Sequence, residues 1–195
     1  MATSFGPSAL ATPANAVTVA RLLCAPPLWG VILAVGPSPL ALVLWVLVAA
    51  TDGVDGYVAR RHGTTRSGAF LDPLADKALV LGALWALVLS DGTWWVPVAL
   101  ITGREVGISG FRSYWGRRGL SVPASPAAKV KTVVQAVAVG LALLPLVADH
   151  HAWLASSVLW LAVALTLLSG AQYLVEGRRA TASDGVRVGG GGRAL

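Results

Sequence analysis

The sequence predicts an all-α integral membrane protein of six transmembrane helices. Composition, segment length and the placement of basic residues each point there. Hydrophobic residues make up 55% of the 195 and charged residues 12%, with a mean hydropathy of +0.70. Soluble domains carry about 25% charge, so this chain has too little polar surface to cover a water-soluble globule. The same figures exclude disorder for most of its length. A soluble helical bundle would need polar faces on its helices, and the last two apolar segments mostly lack them.

A helix of about 20 residues rises about 30 Å, the thickness of the hydrocarbon core. Six segments fit: 16–36, 38–61, 66–90, 93–116, 125–148 and 152–176. The breaks between them carry turn chemistry at Gly36-Pro37, His62-Gly63, Asp91-Gly92, Gly119 to Pro126 and Asp149-His150-His151. Pro26-Pro27 is expected to kink the first helix. Residues 1–15 contain no Lys or Arg and so lack the positive region of a signal peptide. The first apolar stretch is expected to be retained. Residues 177–195, basic and ending in a Gly189–Gly192 run, read as a disordered tail. The expected organisation is a segment at 1–15, a six-helix catalytic domain at 16–176 and this tail.

Basic residues set the orientation. Arg60, Arg61 and Arg66 flank the second turn. Arg112, Arg117, Arg118, Lys129 and Lys131 surround the fourth. Arg178, Arg179, Arg187 and Arg193 lie in the tail. The loops near 37, 91 and 150 contain no Lys or Arg. Both termini and the two basic loops are therefore expected in the cytoplasm, with Trp94, Trp95 and Trp153 at the outer interface of the cell membrane. The net charge of +6 thus reads as positive-inside charge rather than a nucleic-acid surface. A single cysteine, Cys24, excludes an internal disulfide framework and a multi-cysteine metal site.

Four of the nine acidic residues, Asp52, Asp55, Asp72 and Asp76, fall inside expected spans. Carboxylates in a membrane are costly and mark function. Asp52 and Asp55 are spaced i, i+3, and Asp72 and Asp76 i, i+4, so each pair shares a helix face. Asp52, Asp55, Gly56, Ala59 and Arg60 fall within an arc of roughly 140°, and Gly68, Asp72 and Asp76 within about 80°. Across the short turn at 62–65, Asp55 and Asp72 each lie about 9 Å in from the cytoplasmic end, and Asp52 and Asp76 about 14–15 Å. Four anions at matched depths need cations between them. Arg60, Arg61, Arg66 and Lys77 supply too few buried cations to neutralise all four. Mg²⁺ or Mn²⁺, hard ions with oxygen ligands, are the natural occupants, with positions left open for a phosphate-bearing substrate.

The run Asp52-Gly-Val-Asp55-Gly56-Tyr-Val-Ala59-Arg60, seven residues, Gly68, three residues, Asp72, three residues, Asp76 resembles the signature of the CDP-alcohol phosphotransferases at every fixed position. Asn15-Ala-Val-Thr18-Val-Ala-Arg21 is similar to that family's entry into its first helix. The resemblance implies the family's six-helix fold with an active site opening to the cytoplasmic side, a homodimer, and transfer of a phosphatidyl group from CDP-diacylglycerol to an alcohol with release of CMP. It implies two divalent ions on Asp52, Asp55 and Asp72. Asp76 is implied to be both general base and metal contact. Gly56, Ala59, Arg60, Thr65, Gly68 and Asn15 are implied to be donor-binding.

Asp72-Pro-Leu-Ala-Asp76-Lys77, Arg104-Glu105, Arg112, and Lys129-Val-Lys131-Thr132 with Gln135 are similar to the phosphatidylglycerophosphate synthase branch. Cardiolipin synthases that use CDP-diacylglycerol and phosphatidylinositol-phosphate synthases share much of this pattern. Arg104 lies too deep for loop charge. Arg104, Arg112, Lys129 and Lys131, facing the carboxylates, suit an anionic acceptor such as glycerol 3-phosphate. Arg21 either snorkels to the interface or points at the donor. Membrane carboxylates also mark ion-coupled transporters, but those commonly carry internal repeats around a midplane site. No repeat is evident here, and the site lies toward one side.

Overall fold

The computed structural model describes residues 13–62, 68–90, 93–117 and 126–189, with side chains described at 18–51, 74–90, 93–111 and 130–171. All regular structure in it is helical: α1 (Pro13–Val35), α2 (Pro39–His62), α3 (Gly68–Leu89), α4 (Trp95–Arg117), α5 (Pro126–Leu143), α6 (Pro145–His150) and α7 (Ala152–Gly189).

Local chemistry explains several boundaries. Gly36 takes φ +66° and its N–H bonds Ile32 O at 2.9 Å, the glycine stop that only a residue without Cβ adopts freely. Ser38 then opens α2: its Oγ accepts from the Ala41 N–H at 3.2 Å, ahead of Pro39 at the first helical position. Pro26 and Pro27 lie inside α1, which is continuous to Val35.

Two expectations need correction. The fifth segment, expected as one helix over 125–148, is broken into α5 and α6 at Leu144. That residue is extended, with φ −75° and ψ 115°, because a residue preceding proline is driven out of the helical region by Pro145. The last helix, expected to end at 176, continues to Gly189. The stretch expected to be disordered is thus helical that far. Glu176, Arg178, Arg179, Ala180 and Ala182 are all good helix formers.

Helix α3 is the centre of the bundle. It packs on α1, α4 and α5, while α7 packs on α4, α5 and α6, and α2 on α1 and α5. Leu79, Ala83, Leu84 and Leu87 of α3 are buried against Leu28 and Ile32 of α1, Val98 and Ile101 of α4, and Val139 and Leu143 of α5. Polar ties are few and cross between helices. Trp85 Nε1 donates to Thr102 Oγ1 at 3.1 Å, and Gln135 Nε2 to Thr166 Oγ1 at 3.0 Å. The outside is apolar. Leu23, Leu33, Leu47, Leu89, Val106 and Leu168 are exposed, as are Trp94, Trp95 and Trp153. Among the described residues, Thr18–Val35 and Ala152–Ala171 are each long and apolar enough to cross a membrane, and Pro39–Thr51 and Val130–Leu143 are shorter apolar stretches.

The α1–α3 contact closes over Gly82. A Cβ there would stand 2.2 Å from Trp29 Cε2 and 2.7 Å from Nε1, so the indole lies on the glycine backbone. Gly82→Ala is expected to overpack this contact by about 1–3 kcal/mol, read as a lower unfolding temperature in detergent. An unchanged temperature would show that the ring swings clear.

Candidate active site

Two charged clusters sit side by side on one turn of α3. The first is built on Asp76. Arg21 reaches across from α1 and its Nη1 donates to Asp76 Oδ1 at 2.5 Å. The Arg21 side chain is 1% exposed and that of Asp76 31%. A buried guanidinium needs such a carboxylate, since an unpaired charge in an apolar interior is costly. Arg21 Nε also donates to Thr51 Oγ1 on α2 at 3.3 Å, and the Thr51 hydroxyl donates to Val48 O at 2.6 Å. One guanidinium therefore joins α1, α2 and α3. Thr51 is the residue before Asp52 in the chain. Between the two orientations open for Arg21, the structure shows the inward one.

The second cluster is built on Glu105 of α4, whose side chain is 4% exposed. Three cations converge on this carboxylate. Arg104 Nη1 donates to Oε1 at 2.9 Å. Lys131 Nζ of α5 donates to the same oxygen. Lys77 Nζ of α3 lies 3.5 Å from Oε2 and donates to Ser109 Oγ, which itself donates to Glu105 O at 2.6 Å. Arg104 extends to α7, where Nη2 donates to Ser169 Oγ at 2.7 Å. Its Nε is buried without a hydrogen-bond partner and lies 3.0 Å from where a Cβ on Gly170 would stand. Glu105 thus joins α3, α4, α5 and, through Arg104, α7.

Of the residues singled out in the sequence, the structure brings Arg104 and Lys131 together on Glu105 and ties Asp76 to Arg21. Asp52, Asp55, Gly56, Ala59 and Arg60 lie in α2, Gly68 and Asp72 in α3, Asn15 in α1, Arg112 in α4 and Lys129 in α5. Their side chains fall outside the described set, and Thr65 falls outside the described residues. Among the described residues no three His, Cys, Asp or Glu side chains form a cluster, since only one of the four motif aspartates is among them. Sequence reasoning missed Glu105 as the common counterion and weighed Lys77 only as one of too few cations for the aspartates. Consecutive helical residues point about 100° apart, a signal that Lys77 could not share the face of Asp76. The Ser169-Gly170 pair in an apolar helix was the available signal for a close-packed arginine.

An all-helical bundle that carries a buried cation cluster on Glu105 and the aspartate motif within α2 and α3 is a scaffold suited to group transfer. The chain belongs to the CDP-alcohol phosphatidyltransferase family, whose model matches residues 11–168. It is 40% identical over 181 residues to a Mycobacterium tuberculosis protein named "Probable phosphatidylglycerophosphate synthase", covering 89% of this chain and 85% of that one. It is 44% identical over 139 residues to a Yersinia pestis protein named CDP-diacylglycerol–glycerol-3-phosphate 3-phosphatidyltransferase, covering 68% of this chain and 75% of that one. A Yersinia pseudotuberculosis protein of the same name matches equally, at 44%.

Glu105→Gln removes the carboxylate that three cations share, two of them nearly buried. Breaking a buried ion pair from one side costs about 3–5 kcal/mol. Thermal unfolding in detergent is expected to show most of that loss. A change within experimental scatter would mean that the cations relax to solvent without cost.

Proposed function

We propose that this enzyme transfers a phosphatidyl group from CDP-diacylglycerol to glycerol 3-phosphate, forming phosphatidylglycerophosphate and CMP. The observation that carries the acceptor assignment is the surplus of positive charge around Glu105, one of whose cations, Lys77, directly follows Asp76 in α3. An acceptor that bears its own phosphate fits this cluster, and a neutral alcohol leaves it unmatched. The names of the M. tuberculosis and Yersinia relatives support the same reaction.

In this reading six segments span the cytoplasmic membrane, both termini face the cytoplasm, and the enzyme works as a homodimer. The apolar exterior and the family support the membrane setting. The homodimer rests on family resemblance.

The donor set suits divalent ions. Four carboxylates on two consecutive helices are hard oxygen ligands, and Asp76, a third exposed, is open on one side. Asp52, Asp55, Asp72 and Asp76 would hold Mg²⁺ or Mn²⁺, which when bound neutralises pyrophosphate charge and favours departure of CMP. The protein's own residues do the rest. Gly56, Ala59 and Gly68 leave room for the nucleotide, Arg60 takes a donor phosphate oxygen, and Asn15 and Thr65 line the donor. The acceptor hydroxyl attacks the phosphorus that carries the diacylglycerol. Its bond to the bridging oxygen breaks, CMP leaves with that oxygen, and the hydroxyl proton passes to the Asp76 carboxylate. Arg21 orients that carboxylate. Arg104, Lys131, Arg112 and Lys129 make the acceptor side positive.

Purified enzyme given labelled glycerol 3-phosphate, CDP-diacylglycerol and Mg²⁺ or Mn²⁺ is expected to make phosphatidylglycerophosphate and CMP in equal amounts. Asp76→Asn is expected to lower kcat roughly 10²–10⁴-fold. Asp72→Asn is expected to abolish turnover and weaken metal binding. Cardiolipin from phosphatidylglycerol, or an inositol lipid from inositol phosphate, as main product would reassign the acceptor. No CMP with any acceptor would remove the enzyme reading and favour an ion-coupled carrier.

A further inference from the structure

We propose that Lys77 is the residue that takes the acceptor's phosphate, and so selects a phosphorylated alcohol. The inference rests on the acceptor reading above. Three cations face one carboxylate at Glu105, and together they carry more N–H donors than its two oxygens accept. An anion with several oxygens completes such a cluster.

The three cations are not equivalent. Arg104 is 11% exposed and is clamped between Glu105 and Ser169. Lys131 is 6% exposed and bonds Glu105 directly. Both belong to the interior and are committed to holding helices together. Lys77 is 33% exposed and, at 3.5 Å, stands farthest from the Glu105 carboxylate. Its ammonium has three donors. Ser109 accepts one hydrogen bond and Glu105 lies at ion-pair distance, so the ammonium keeps donor capacity for an anion.

Position makes the same choice. Lys77 follows Asp76 directly, so their Cα atoms are about 3.8 Å apart and their side chains diverge by about 100°. Asp76 turns toward α1 and Lys77 toward α4, and both are about one third exposed. A small molecule with a phosphate at one end and a hydroxyl near the other spans these two groups. Arg104 and Lys131 then strengthen the field behind Lys77 rather than touch the ligand.

Steady-state kinetics of Lys77→Met tests this. The acceptor KM is expected to rise about ten- to hundredfold, the loss of one charged hydrogen bond, with the CDP-diacylglycerol KM within twofold of wild type. Lys77→Arg, which keeps the charge, is expected to restore most of the acceptor affinity. Lys77→Gln keeps a hydrogen bond to Ser109 without the charge. It carries the same expectation should Lys77→Met fold poorly. An unchanged acceptor KM in these neutral variants, or an equal rise for both substrates, would overturn the inference while wild-type turnover keeps the proposed reaction. A wild-type enzyme inactive with glycerol 3-phosphate would overturn both.

Discussion

Burying charge inside an apolar helical bundle is the constraint on which this structure depends. Adjacent residues of α3, Asp76 and Lys77, carry opposite charges at the edge of the apolar core, each about one third exposed, and each is met from another helix. Arg21 of α1 meets Asp76 and draws in Thr51 of α2. Glu105 of α4 meets Lys77 and gathers Lys131 of α5 and Arg104, which reaches α7. Two consecutive side chains on one helix thus tie α1, α2, α4, α5 and α7 to the central α3. Apolar packing alone would orient these helices weakly, because their outer faces are as apolar as their inner ones. The ion pairs supply the directional contacts.

The same arrangement separates the chemistry. On the α1 side of α3 lies the Asp76 carboxylate, which the proposed reading joins to Asp52, Asp55 and Asp72 as holders of divalent ions and a pyrophosphate. On the α4 side three cations meet one carboxylate, Glu105. A donor that needs metal and an acceptor that carries phosphate would be kept apart electrostatically until they meet at Asp76. The charges that hold the helices in place are also those assigned to the substrates, so a substitution in either cluster reports on folding and on reaction together. Stability and substrate-specific kinetics must be read side by side.

Much of this was legible in the sequence. The all-helical class and the approximate starts of the long helices followed from apolar segment length, and the family from Asp52, Asp55, Gly56, Ala59, Arg60, Gly68, Asp72 and Asp76 at fixed spacing. Periodicity could not show the break at Leu144, because 136–148 is apolar throughout and only the local effect of Pro145 divides it. The run to Gly189 was hidden by weighting the terminal glycines over the helix formers before them. Pairing was the least legible feature. Glu105 read as an accessory to Arg104, since the sequence does not reveal that Lys77 and Lys131, 54 residues apart in the chain, converge on it. Arg21 had two permitted orientations, and tertiary contact with Asp76 selected one.

The central claim is that α3 divides a metal-binding, donor-facing side from a positive, acceptor-facing side at Asp76 and Lys77. A structure of the enzyme with Mn²⁺ and glycerol 3-phosphate, using anomalous scattering to locate manganese, tests it most directly. The account predicts manganese among Asp52, Asp55, Asp72 and Asp76, with the glycerol phosphate on the Glu105 side within hydrogen-bond reach of Lys77. Phosphate bound away from Lys77, with the lysine still closed on Glu105 and Ser109, would contradict it.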